Sequence, residues 1–130
     1  MKRIKLTETE ESPLVILDKN EGIFEFGGIS IVDNGKEFYD EILHWVRSYS
    51  KDPNPETIVN FKMEYCNTAS SKQLYEIMIS FLHVEALGCK LTINWYYDSY
   101  DDDMEDLGNS FRKAAYEDLN VIPNPDSSED

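Results

Sequence analysis

Residues 65–72 read Tyr65-Cys66-Asn67-Thr68-Ala69-Ser70-Ser71-Lys72, and Asn67, Thr68, Ser70 and Ser71 form a cluster of small polar side chains. The residues before the cluster alternate with a period of two and those after it repeat with a helical period, so the cluster marks a strand-to-helix junction. A helix start offers backbone N–H groups without intrahelical partners and the positive end of the helix dipole, and both suit an anionic group. A hydroxyl at such a place is also reachable by a kinase. The plainer role is capping, because Ser, Thr and Asn are what helix N-caps use.

Other chemistry finds less support. His44 and His83 fall within helical segments far apart in the chain, with no Cys–His or Ser–His–Asp arrangement to be read from them. Neither a GxGxxG nor a GxxxxGK[ST] motif is present. The expectation is therefore a protein without catalytic residues and without a cofactor. Residues 98–106, Asp-Ser-Tyr-Asp-Asp-Asp-Met-Glu-Asp, carry six carboxylates. They are oxygen ligands of the kind Ca²⁺ or Mg²⁺ takes, but they lack the spacing and glycine of an EF-hand loop. An acidic divalent-metal-binding protein is thus an alternative, against a solvated acidic loop that leads into a helix.

The flanking elements must hold these residues in place. Val59, Phe61, Met63 and Tyr65 alternate with Asn60, Lys62 and Glu64, which predicts a strand with one buried and one wet face. After the junction, Leu74, Ile77, Met78, Phe81 and Leu82 recur at i, i+3, i+4, i+7 and i+8 and predict an amphipathic helix that stops near Gly88. Leu91, Ile93, Trp95 and Tyr97 alternate with Thr92, Asn94 and Tyr96 as a second half-wet strand. Met104, Leu107, Phe111, Ala115 and Leu119 predict a third helix that begins inside the acidic run. Upstream, Leu14-Val15-Ile16-Leu17 and Ile23-Phe24-Glu25-Phe26 flank a Gly-containing connection and read as a hairpin. Gly27-Gly28 permits a bend or bulge. Asn34 and Glu37 look like a capping box for a helix whose stripe is Phe38, Ile42, Trp45, Val46 and Tyr49, ended by Asp52-Pro53-Asn54-Pro55.

Hairpin, helix, strand, helix, strand, helix implies parallel pairing in the strand–helix–strand part. The polar rows leave helices mainly on one sheet face. The fold class is α/β, a STAS-like mixed sheet with an N-terminal hairpin followed by parallel strands. Residues 14–119 are expected to form a single STAS-like domain, residues 1–13 a flexible lead-in, and residues 120–130 an acidic, frayed tail. Since parallel strands end at one sheet edge, residue 68 and the acidic run should be neighbours. That edge is the expected docking surface, with Asn67, Ser70, Ser71, Lys72, Tyr97, Asp98, Asp101 and Asp102 as candidate contacts and an Arg- or Lys-bearing partner.

At 130 residues with 41% hydrophobic content, the chain can bury a real core. No apolar run approaches a membrane span and no secretory signal is read, so a cytoplasmic setting is expected. Cys66 and Cys89 read as unpaired, reduced thiols. The formal net charge of −14 argues against nucleic acid and anionic membranes as partners and suits a basic protein surface.

The segments Tyr65-Cys-Asn-Thr-Ala-Ser-Ser-Lys72 and Asn94-Trp-Tyr-Tyr-Asp98, followed by the Asp/Glu run, resemble the signatures of SiaC-type biofilm regulatory phosphoproteins. The resemblance runs from about residue 14 to residue 108. It implies a threonine, here Thr68, that a dedicated serine/threonine kinase phosphorylates and a PP2C-type phosphatase restores. It also implies that the unmodified protein binds and activates a diguanylate cyclase and so raises cyclic-di-GMP. The rival binding-module reading is an anti-sigma-factor antagonist-like partner-switching protein, in which Ser70 or Ser71 would carry the modification.

A phosphate adds about −1.5 to −2 charges. At a helix start it gains only about 0.3–1 kcal/mol, or about 2 when partly buried, too little to refold a domain. A like charge or an unpaired charge buried in an interface costs several kcal/mol. The modification is therefore expected to block docking and leave the fold intact.

Overall fold

A computed structural model describes residues 1–32 and 35–125, with Gly35 and Lys36 described by backbone only. The first strand, β1, spans Ile4–Leu6, and β2 and β3 span Leu14–Asp18 and Ile23–Ser30. Helix α1 follows over Gly35–Tyr49, β4 over Glu56–Cys66, and α2 over Thr68–Phe81. A four-residue helix α3 (His83–Ala86), β5 (Lys90–Tyr97), α4 (Asp102–Ala114) and β6 (Asn120–Pro123) complete the chain. The six strands form one sheet in sequence order, β1-β2-β3-β4-β5-β6. The first three pair antiparallel, and β4, β5 and β6 each add in parallel to the preceding strand. This is the mixed sheet that the order of elements predicts.

Burial follows the period of two. Thr57, Val59, Phe61 and Met63 are buried in β4, and Leu91, Ile93, Trp95 and Tyr97 in β5, while the residues between them are exposed or half-buried. Register places Val59 beside Phe24 and Ile93, and Phe61 beside Phe26 and Trp95, so one sheet face holds the core. The helices reach the sheet through that face. Phe24 contacts Trp45 and Tyr49 of α1 and Phe81 of α2, with ring centroids 4.9–6.1 Å apart. Phe111 of α4 meets Trp95 edge-on at 5.3 Å. Each such pair is worth about 0.5–1.5 kcal/mol beyond its burial.

The hairpin turns at Gly22, whose φ of 70° suits glycine. The expected bend at Gly27-Gly28 is a register shift between Gly28 and Ile29, after which β3 runs on to Ser30.

Both chain ends depart from expectation. Residues 4–6 of the expected lead-in pair with β2, and residues 120–123 of the expected tail pair with β5. Strands of three and four residues are too short to show a period and take their order from the neighbour. Helix α4 ends at Ala114, with Ala115 as its cap, so Leu119 is buried in the connection to β6 rather than on the helix. The proposed cap Asn34, and residues 126–130 of the tail, lie outside the described residues.

Candidate functional site

Asn67 ends β4 and opens α2. Its backbone is extended (φ −77°, ψ 175°), and its Oδ1 accepts from the Ser70 N–H at 2.8 Å, the bond that defines an N-cap. Its own N–H donates to the Ser30 carbonyl at 3.1 Å, which ties the helix start to the end of β3. Thr68 is thus the first helical residue, and no acidic side chain stands in that first turn. The positive helix end carries no carboxylate of its own.

The three hydroxyls of the turn have different fates. Ser70 is fully buried, and its Oγ accepts from Ser30 Oγ at 2.7 Å. Ser30 in turn lies 2.7 Å from the Tyr39 hydroxyl; with the Ser30 proton committed to Ser70, Tyr39 is the donor. Ser30 and Tyr39 are also fully buried. Burial pushes the Tyr39 phenol above its ordinary pKa, so the chain stays neutral and intact. The adjacent Cys66 thiol is pushed up to about 12 by the same cause. Ser71 Oγ donates back to the Asn67 carbonyl at 3.0 Å. Thr68 is exposed and makes no side-chain hydrogen bond among those of the described residues.

Helix α4 starts at the other parallel-strand end. Asp101 is its N-cap, accepting from the Met104 N–H at 3.1 Å, and Asp102, Asp103 and Glu105 fill its first turn. Between α2 and α4 lie two hollows. The larger, about 520 Å³, has walls from Tyr75, Leu107, Phe111 and Ala114 beside Thr68, Ser71, Lys72 and Glu76. The other, about 470 Å³, is lined by Tyr65, Cys66, Asp101, Asp103, Met104 and Leu107, again with Thr68 and Ser71. Thr68, Ser71 and Leu107 belong to both, so Thr68 stands on a shared wall. One hollow offers apolar surface and the other offers carboxylates.

The candidate contacts divide accordingly. Ser71 and Lys72 line the larger hollow and Asp101 the acidic one, while Asp102 is exposed at the start of α4. Asn67 is half-buried and committed to the cap. Asp98 is half-buried and accepts from Asn124 at 2.9 Å. Tyr97 is 8% exposed and its hydroxyl donates to Glu105, so it supports α4 and offers little surface. Burial and the Glu105 carboxylate hold its pKa above the ordinary value. Ser70 must be withdrawn as a contact and as a modification site, because it is enclosed and hydrogen-bonded. The helical phase carries that signal, since Ser70 stands four residues before Leu74 and seven before Ile77 on the buried stripe. Sequence reading also missed Tyr75, Leu107, Phe111 and Asp103 as walls of one groove. Leu107 and Phe111 are visible as a stripe, but their facing α2 is a tertiary fact.

Among the described residues no group of three or more His, Cys, Asp and Glu side chains is arranged to hold a metal ion. His44 and His83 are exposed and lie away from the groove. No described helix is long and apolar enough to cross a membrane.

Comparison with known proteins agrees with this architecture. The family described as SiaC family regulatory phosphoprotein matches residues 6–124. An uncharacterized protein of Pseudomonas aeruginosa is 22% identical over 113 residues, covering 87% of this chain and 90% of its own length. The crystal structure of apo-SiaC from Pseudomonas aeruginosa superposes with a TM-score of 0.83 at 20% identity, covering 94% of this chain and 99% of that one. A crystal structure of the diguanylate cyclase SiaD in complex with its activator SiaC, from the same organism, matches with a TM-score of 0.84 at 20% identity, over 93% of this chain and 99% of the other.

Proposed function

Since this chain belongs to the SiaC family and is a regulatory phosphoprotein rather than an enzyme, we propose that its unmodified form binds and activates a diguanylate cyclase through the α2–α4 edge, and that phosphorylation of Thr68 switches this off. The observation that carries the reading is the position of Thr68 as an exposed, uncommitted hydroxyl on the wall shared by the apolar and acidic hollows. A dedicated serine/threonine kinase adds the phosphate and a PP2C-type phosphatase removes it. The activated cyclase raises cyclic-di-GMP and promotes biofilm.

The physical course of the switch follows from the groove. A partner that fills it packs apolar side chains against Leu107 and Phe111 and sets basic groups toward Asp101 and Asp103. The bare start of α2 tolerates a phosphate, so the fold survives the modification. Under a docked partner the same phosphate loses its water against apolar side chains, and an unpaired charge buried in this way costs several kcal/mol. Lys72, one turn along α2, is placed to pair with the phosphate in the free protein. Such a pair lowers the cost of the modified free state and does nothing for the bound one.

Phosphosite mapping after incubation with kinase and ATP tests the assignment: phosphate on Thr68 is expected, and phosphate on Ser71 instead would overturn it. Affinity capture from native lysate is expected to recover a diguanylate cyclase with wild type and Thr68→Ala but not with Thr68→Asp. Equal recovery by all three would contradict the switch.

A further inference from the structure

The sheet face opposite the helices has nothing packed on it among the described residues, yet it is not built like the rest of the surface. Its charges come in cross-strand pairs: Arg3 with Asp18 at 3.9 Å, Lys62 with Glu25 at 3.7 Å, and Lys90 with Glu56 at 3.8 Å. Lys5 and Glu64 add one charge of each sign. The face is therefore electrically balanced, and the formal net charge of −14 resides elsewhere. Three of its amides are also joined within the face. Asn94 Nδ2 donates to Asn60 Oδ1 and Asn120 Nδ2 to Asn94 Oδ1, each at 2.9 Å, in a ladder across β4, β5 and β6. Around the ladder, Ile23 and Ile58 are 42% and 43% exposed.

Burying such a face strands fewer polar groups than its composition suggests, because three amides are joined and six of its eight charges are paired. An acidic protein repels its own copies, and this face adds no net charge to that repulsion. The strand edges are poor alternatives, since β1 has three residues and β6 has four and ends in Pro123. We infer that this face is a self-association surface, on which a second copy of the chain stacks sheet to sheet about a two-fold axis. Pairs of opposite charge suit an isologous contact, because each sign can find the other across the axis. The helices lie on the far side of the sheet, so both copies keep the Thr68 groove open.

Six strands about 4.8 Å apart and some five residues long give a footprint of roughly 450 Å². A standard stable interface takes about 800 Å² per partner, so the dimer is weak and concentration-dependent. Sedimentation equilibrium of the unmodified chain from about 10 μM to about 1 mM covers the range in which such an interface shows itself. The mass is expected to rise from 15.1 kDa toward twice that value. Ile58→Lys, which sets an unpaired charge in the face, is expected to hold the mass at 15.1 kDa throughout, and Leu87→Lys, at a 57% exposed position outside the sheet, to behave as wild type. Ile23→Lys serves in place of Ile58→Lys should that variant fail to fold. A constant monomer mass for wild type, or equal loss of association in Leu87→Lys, would overturn the inference.

Discussion

Two helix starts face the same groove. That of α4 is capped by Asp101 and carries Asp102, Asp103 and Glu105 in its first turn, so its dipole is answered by permanent charge. That of α2 is capped by neutral Asn67, carries no acid, and presents Thr68 instead. Backbone hydrogen bonding is satisfied in the same way at both ends, by a side-chain oxygen accepting from the N–H three residues on. The two caps bond alike but differ in charge, and the uncharged start presents an exposed hydroxyl. A phosphate on Thr68, as proposed, would turn the second start into a likeness of the first and give the groove a second acidic wall.

The contrast depends on α4 being held against the sheet. Gly108 lies flat on Trp95, whose Nε1–H donates to the Met104 carbonyl at 2.9 Å, and a Cβ at Gly108 would run into the indole. Gly108→Ala is expected to cost about 2–3 kcal/mol by overpacking, to lower the melting temperature, and to weaken partner binding by displacing one wall of the groove. Unchanged melting and binding would mean that α4 is not fixed by this contact.

Next in size is the comparison of two hydroxyls within one turn. Ser70→Ala removes the acceptor from a buried chain and is expected to cost about 1–3 kcal/mol in denaturant unfolding. Thr68→Ala, at an exposed position without a hydrogen-bond partner, should stay within about 0.5 kcal/mol of wild type. Similar costs for both would show that the turn does not separate a positioning hydroxyl from a modifiable one. A smaller effect belongs to the caps: Asp101→Ala and Asn67→Ala should each cost about 1 kcal/mol. Only Asp101→Ala should also weaken binding of a basic partner through lost charge.

How much of this was legible in the sequence depends on the length of the pattern. β4, β5 and α2 carry enough periods to announce themselves, and their order alone places residue 68 near the acidic run. β1 and β6 do not, because three or four residues hold no period and their partners supply the structure. The Tyr39–Ser30–Ser70 chain joins residues 40 positions apart, and hydroxyls that look alike in sequence divide into buried and exposed only once the helix is seated. Phase offered a partial warning, since Tyr39 with Ile42, Leu43 and Val46, and Ser70 with Leu74 and Ile77, share buried stripes. Polarity concealed it. Of the Asn60–Asn94–Asn120 ladder, Asn60 and Asn94 were visible as polar positions on wet strand faces, whereas Asn120 fell in the expected tail.

Added charge at Thr68 is expected to block docking without disturbing the fold. Calorimetric titration of the cognate cyclase with the unmodified and the stoichiometrically Thr68-phosphorylated protein, alongside their melting curves, measures both at once. At least a hundredfold loss of affinity, about 2.7 kcal/mol, is expected, with melting temperatures that coincide. Equal affinity of the two forms, or a loss of affinity matched by unfolding, would contradict it.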